Sequence, residues 1–271
     1  MQTPFIKMHG LGNDFVVLDA RTAGVPPMTG ALAAAIADRR TGIGCDQLIL
    51  LEPSDRANVR MRIFNADGGE VEACGNATRA VGLLLGQPAS IETLGGMLAT
   101  DPVAAGVAVD MGEPRFAWDA IPLAYPLDTL TMPVGWEMLE GPAAVNVGNP
   151  HIVFFVADTG AVELERLGPL IEHDPLFPAR INVNVATVTP AGEINLRVWE
   201  RGVGETRACG TGACATAIAA MRRGLVQRGS VTVNLPGGAL QIGWGHDNRI
   251  TMTGPATESF RGTFDPHTFG A

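Results

Sequence analysis

Two short segments place a thiol where it could move a proton. Ala73-Cys74-Gly75-Asn76-Ala77 and Ala208-Cys209-Gly210-Thr211-Gly212-Ala213-Cys214 each set a cysteine before a glycine and a small polar residue, at the head of an Ala-rich apolar run. A thiolate is a base and a thiol an acid, so one cysteine on each side of a carbon could remove a proton from one face and deliver another to the opposite face. The chemistry would be inversion of a centre that bears a hydrogen. If both cysteines start helices, the unpaired N–H groups and positive dipole end there should hold a carboxylate and lower the thiol pKa from about 8.5 toward neutrality. Gly75 and Gly210 let the backbone approach an anion closely, and Asn76 and Thr211 can add polar side chains.

The two segments belong to a longer duplication. Setting Cys74 on Cys209, an offset of 135 residues, brings Ile63-Phe64-Asn65 opposite Val198-Trp199-Glu200 and Gly69-Glu70 opposite Gly204-Glu205. At an offset of 136 Gly12-Asn13 faces Gly148-Asn149, and at 135 Gln47 faces Asn182. A period of this length is a domain used twice rather than a solenoid repeat.

Hydrophobic patterning predicts what must position the cysteines. Phe5 to Met8, Asp14 to Asp19, Gln47 to Leu51 and Val59 to Phe64 read as strands, and Thr29 can cap a helix over 31–39. The run 77–85, stopped by Gly86 and Pro88, is apolar nearly all round, which predicts a helix buried with sheet about it. In the second half 152–156, 182–188 and 194–199 read as strands, 162–167 as a short helix and 212–223 as the second buried helix. The expected architecture is α+β: two pseudo-symmetric domains, each a sheet wrapped around a central apolar helix. Loss of periodicity and a cluster of prolines between Arg115 and Pro133 put the boundary there, giving domains 1–117 and 118–262.

Composition narrows the function classes. With 46% hydrophobic and 17% charged residues the chain is that of a compact globular protein, and its net charge of -9 argues against nucleic-acid partners. The start of the chain lacks the layout of a secretory signal, and no apolar run reaches the ~18 residues of a membrane span, so a cytoplasmic protein is expected. In that compartment the four cysteines should be thiols. Lys7 is the only lysine, so a Schiff-base mechanism would have to use it. His9, His173, His246 and His267 show no ligand spacing, and no metal is expected; neither a dinucleotide nor a Walker-type glycine motif is present.

Eight segments, in order along essentially the whole chain, closely resemble the diaminopimelate epimerase family: Gly12 to Phe15, Gly44 to Gln47, Phe64 to Gly68, Ala73 to Asn76, Gly148 to His151, Asn182 to Asn184, Trp199 to Gly202 and Ala208 to Gly212. The resemblance implies a cofactor-independent isomerase that interconverts LL- and meso-diaminopimelate, on the route to lysine and peptidoglycan precursors. It implies that Cys74 and Cys209 are the acid/base thiols, with His151 and Glu200 setting their proton state. It carries substrate contacts to Asn13, Gln47, Asn65, Gly75, Asn76, Asn149, Asn182, Glu200, Arg201, Gly210 and Thr211. It also implies a homodimer that takes a small amino-acid substrate, and a C-terminal end, residues 263–271, that returns to the first domain. Two positions depart from the family: Cys45 stands where alanine is usual, and Phe260 where some members carry a tyrosine at the dimer contact.

Other readings compete. A single Cys-Gly pair is commonly a buried small hydrophobe, and it is the duplication that favours chemistry here; Cys45 and Cys214 lack that support and read as packing residues. The asparagines beside glycines could be turn-formers. A proline-type racemase would share the chemistry on another substrate, a thiol–disulfide protein would use the same cysteines in redox exchange, and an inactive amino-acid-binding module would need neither.

Overall fold

A computed structural model describes residues 2–22, 24–72 and 74–269, and the chain divides into two compact units, Met1–Val109 with Gly254–Ala271, and Asp110–Thr253. Ala73, the first residue of one repeated segment, lies outside the described residues, as do Gly270 and Ala271 of the C-terminal return.

In the first unit β1 (Thr3–Gly10) and β2 (Asn13–Asp19) form a hairpin, β2 runs parallel to β3 (Gln47–Glu52), and β3 is antiparallel to β4 (Val59–Asn65). One end of β4 pairs with β5 (Glu70–Val71), the other in parallel with β6 (Ala89–Thr93), which turns back into β7 (Gly96–Val103) and then β8 (Gly106–Asp110). Strand alternation gives this sheet two apolar faces. Val16, Leu18, Leu48 and Leu50 pack with Leu32, Ala33 and Ile36 of α1 (Gly30–Ala37). Phe15, Val17 and Ile49 pack with Ala77, Ala80 and Val81 of α2 (Gly75–Leu85). Thr29 caps α1 by accepting from Leu32 N at 3.2 Å, and α2 ends on Gly86 in the left-handed region, as its sequence predicts.

The second unit repeats the topology. A small hairpin of β9 (Gly135–Trp136) and β10 (Leu139–Glu140) precedes β11 (Ala143–Asn146), which is antiparallel to β12 (Pro150–Phe155). β12 runs parallel to β13 (Asn182–Val188), and β13 is antiparallel to β14 (Ile194–Glu200). β14 pairs with β15 (Gly204–Thr206) at one end and in parallel with β16 (Ser230–Leu235) at the other, followed by β17 (Gly238–Trp244) and β18 (Ile250–Gly254). α3 (Leu164–Glu172) covers one face of the sheet, and α4 (Gly210–Arg222), buried along almost its whole length, takes the place of α2. The register is conserved between copies: Phe15 pairs with Gln47 in the first as His151 pairs with Asn182 in the second. The protein is α+β, one fold used twice.

The first of these units ends its N-terminal run at Val109, and the second begins at Asp110. Ile121, Leu123 and Met132 lie in the core under α3, so the proline-rich stretch is part of the second unit. Residues 110–117 join it as well, through Met111 N to Ile250 O and Arg115 N to Asn146 O, each 2.8 Å. β19 (Thr257–Phe264) belongs to the first unit because it pairs antiparallel with β1, and Phe264 and Phe269 sit against the α1 core. α3 also runs five residues beyond the expected Leu167, through Gly168 and Pro169. Tertiary packing overrides the local signal: Gly168 lies flat against the indole of Trp199.

A Cβ on Gly168 would fall 2.5 Å from Trp199 Cγ, closer than any real contact. Gly168→Ala should therefore lower stability by about 1–3 kcal/mol through overpacking, read as a reduced urea midpoint. An unchanged midpoint would contradict the packing described.

Candidate active site

In both units the polar residues gather at the N-terminus of the buried helix, since its flanks are enclosed by apolar side chains. In the first unit Cys74 is the extended residue before α2, partly exposed, and Gly75 and Asn76 begin the helix. The hairpin turn between β1 and β2 brings Asn13 beside it, with Gly12 at φ 90°, a conformation that suits glycine. Asn13 Oδ1 accepts from Asn76 Nδ2 at 3.2 Å and from Cys74 Sγ at 3.8 Å, while its Nδ2 donates to Asp46 Oδ2 at 3.0 Å. Asn76 Oδ1 in turn accepts from Nη2 of the fully buried Arg79 at 2.9 Å.

Asp46 continues this network outward to Arg39, Asp14 and Lys7. The Arg39 and Lys7 cations outweigh the cost of burial at Asp14 and hold its carboxyl well below the usual range. Lys7 Nζ is engaged by Asp14 Oδ2 and by the Gly44 carbonyl. Across the sheet Gln47 stands opposite Asn65 and donates to its Oδ1 at 3.0 Å, which leaves Gln47 Oε1 buried with no hydrogen-bond partner.

The second unit builds its cluster differently. Cys209 precedes α4 and is buried; its Sγ lies 3.5 Å from Thr211 Oγ1 and accepts from Gly212 N at 3.4 Å, and Gly210 opens the helix. Glu200, at the end of β14, acts on the thiol electrostatically, and its Oε1 accepts from Thr206 Oγ1 at 2.5 Å. Asn182 Nδ2 donates to Pro150 O at 2.8 Å and its Oδ1 accepts from Arg201 N at 2.9 Å, fixing the backbone of Arg201, whose Nη1 reaches Ala179 O at 2.8 Å. Buried Glu172 clamps the same turn, accepting from Trp199 Nε1 at 2.7 Å and Gly202 N at 2.9 Å. His151 is fully buried, with Nε2 2.8 Å from Asn149 Oδ1 and Nδ1 3.2 Å from Asn184 Nδ2.

Two expectations about protonation change. Burial pushes the Cys209 thiol well above its ordinary value, the Glu200 carboxylate adds to this, and the Thr211 hydroxyl and Gly212 N–H only partly oppose it. The helix N-terminus does not make this cysteine a thiolate at neutral pH. Burial likewise lowers His151 to about 3, with the Arg201 charge adding to the effect and the Asn184 hydrogen bond opposing it, so the imidazole is neutral. No hydrogen bond joins His151 to Cys209 among the described residues.

Sequence reasoning missed Glu172, Asn184 and Thr206. Asn184 had a readable signal: it lies two residues beyond Asn182 on a strand and so on the same face. Thr206 and Glu172 had none, because their partners are set by tertiary pairing. Cys45 is buried in the α1 core and Cys214 within α4; burial raises Cys45 to about 11, as suits a packing residue. Among the described residues no group of three or more His, Cys, Asp or Glu side chains could hold a metal ion, and no helix is long and apolar enough to cross a membrane.

Comparison with known proteins adds a second line. A family model described as diaminopimelate epimerase matches residues 5–117 and 143–258. The chain is similar to a diaminopimelate epimerase of Erythrobacter litoralis (69% identical, covering 98% of each chain) and to one of Rhizorhabdus wittichii (65% identical, covering 100% of this chain and 98% of the relative). Among solved structures, a phenazine biosynthesis protein of the PhzF family from Enterococcus faecalis matches with a TM-score of 0.71 at 15% identity, over 98% of this chain and 100% of that one. At that identity the match shows a shared fold.

Because Glu200 helps to hold Cys209 as a thiol, Glu200→Gln should move its ionisation to lower pH. Cysteine-resolved alkylation across a pH series reads this directly. A Cys209 profile that stays in place, or moves upward, would rule out the electrostatic coupling.

Proposed function

Since this chain belongs to the diaminopimelate epimerase family, we propose that it interconverts LL- and meso-diaminopimelate by two-base proton transfer, with the thiols of Cys74 and Cys209 acting on one α carbon from opposite faces. One observation carries the reading. Equivalent places in two copies of one fold hold a cysteine at the head of a buried helix, Cys74 beside neutral amides and Cys209 beside the Thr211 hydroxyl and the Glu200 carboxylate.

In one direction a thiolate takes the α proton and becomes a thiol, while the opposing thiol delivers its proton and becomes a thiolate; solvent exchange resets the pair. Burial and Glu200 make Cys209 the group that starts protonated. The difficult intermediate is carbanion-like, and its charge spreads into the α-carboxylate, which the first-turn N–H groups of α2 and α4 would stabilise. Gln47 Oε1, buried and without a partner, suits a substrate ammonium donor. Asn13, Asn65, Gly75, Asn76, Asn149, Asn182, Glu200, Arg201, Gly210 and Thr211 are the remaining proposed contacts. Arg201, fixed by Asn182 and exposed, would pair with a carboxylate.

A cytoplasmic homodimer is the proposed setting, supported by the family resemblance and by the largely exposed β19 with its half-exposed Phe260. Sedimentation of the purified chain as a monomer at micromolar concentration would exclude the dimer.

Cys74→Ala and Cys209→Ala should each reduce epimerisation by about three orders of magnitude or more, the scale of losing a proton carrier, with near-native circular dichroism. Assay of both diaminopimelate isomers alongside proline, glutamate and lysine checks substrate and residues together. Near-normal turnover in either variant refutes the assignment, and preference for proline refutes the substrate.

A further inference from the structure

The duplication supplies an internal control for one buried charge in the first unit. Arg79 lies on α2 with its side chain fully enclosed, and the offset of 135 places Cys214, buried on α4, at the equivalent position. The fold therefore accepts a small neutral group there. Enclosing a guanidinium, which stays charged, costs desolvation free energy that packing does not require. The contacts of the charge must offset that cost.

Those contacts form a directed chain. Arg79 Nη2 donates to Asn76 Oδ1 at 2.9 Å, and Nε donates to Pro255 O at 3.4 Å. Gly10, at the end of β1, lies close over the pair: a Cβ there would fall 3.2 Å from Arg79 Nη2 and 3.4 Å from Asn76 Cβ. A guanidinium can only donate, so the Asn76 amide turns its oxygen to Arg79 and its nitrogen to Asn13 Oδ1, 3.2 Å away, which Cys74 Sγ also reaches at 3.8 Å. Asn13 Nδ2 then donates to Asp46 Oδ2 at 3.0 Å. With a cation at one end and a carboxylate at the other, both amides have a single orientation. In the second unit Thr211, Cys214 and Ile181 stand in place of Asn76, Arg79 and Asp46, and of this chain only the asparagine, as Asn149, is kept.

We propose that Arg79 is a positioning residue whose enclosed guanidinium orients Asn76, and through it Asn13, so that the Asn76 amide nitrogen and not its oxygen faces a substrate carboxylate at the head of α2. This rests on the reading of Asn13 and Asn76 as substrate contacts. Without the guanidinium the Asn76 amide can rotate, and its oxygen would then oppose Asn13 Oδ1 and repel a carboxylate. The competing role for Arg79 is a staple between α2 and the chain at Pro255. The two are separable, because only the orienting role acts through Asn76.

The test is a double-mutant cycle on the full chain, read as KM and, by calorimetry, as Kd for meso-diaminopimelate. Arg79→Met should raise both by about tenfold or more, but by less than about twofold where Asn76→Ala is already present, since no amide is left to orient. Unchanged KM and Kd in Arg79→Met, or an equal rise in both backgrounds, would overturn the proposal; the equal rise is what a staple gives. If Arg79→Met fails to fold, Arg79→Cys, which copies the second helix, takes its place in the cycle. A second readout needs no folded Arg79 variant. In wild-type chain with 15N-labelled asparagine, assigned against Asn76→Ala, the Asn76 side-chain amide should give one sharp pair of resonances, slow to exchange with water. Two conformations or fast exchange would contradict a locked amide. This readout requires no substrate, so a failure of the diaminopimelate reading appears separately, as wild-type protein that neither binds nor turns over either isomer.

Discussion

A helix enclosed by apolar side chains has only its ends for polar chemistry, and that constraint organises both halves of this protein. α2 and α4 are wrapped by sheet, their flanks built from alanine and small aliphatic residues. Every candidate site residue lies at an N-terminal end or on the strand ends around it. The same enclosure sets the electrostatics. A helix N-terminus is worth roughly 0.3–1 kcal/mol, under one pKa unit, while full burial shifts a group by as much as about 3–5 units. At Cys209 burial wins and the thiol keeps its proton; at His151 it wins in the opposite sense and the ring stays neutral.

The two copies diverge where the chemistry is placed and agree where the fold is held. Topology, strand register and the position of the buried helix repeat from one unit to the other. Asn65 against Glu200, Phe15 against His151, Ile49 against Asn184 and Asn76 against Thr211 do not. The carboxylate and the buried polar pair all fall to the second unit, whereas the first ties its asparagine to a charged network of Asp46, Arg39, Asp14 and Lys7. A symmetric scaffold thus carries two unlike polar clusters, one at the head of each buried helix. The lack of symmetry suits a reaction in which one thiol begins protonated.

Much of this was legible in the residues. The offset of 135 predicted equivalent strands and two buried helices, and the structure contains them, each helix starting two residues earlier than the apolar run, at Gly75 and Gly210. Asn76 and Thr211 stand beside the cysteines as their spacing suggested, and Asn13, which the family resemblance singled out as a substrate contact, bonds both Cys74 and Asn76. What escaped was governed by long-range packing. α3 continues past the expected Leu167 through Gly168 and Pro169 to Glu172, with Gly168 packed against Trp199. The thiol pKa followed the wrong effect because sequence shows a helix start and not the depth at which it is buried. Glu172 and Thr206 act on residues that only the folded sheet brings near.

Isotope incorporation from heavy water is the most direct measurement of the central claim, that two sulfur groups handle one stereocentre from opposite sides. Starting from either isomer, deuterium should enter the α position of the product in the first turnovers while recovered substrate stays almost unlabelled, because the proton delivered comes from a different thiol than the one that removed its predecessor. Equal early labelling of substrate and product would contradict the account, since it would require a single group to remove and return the proton.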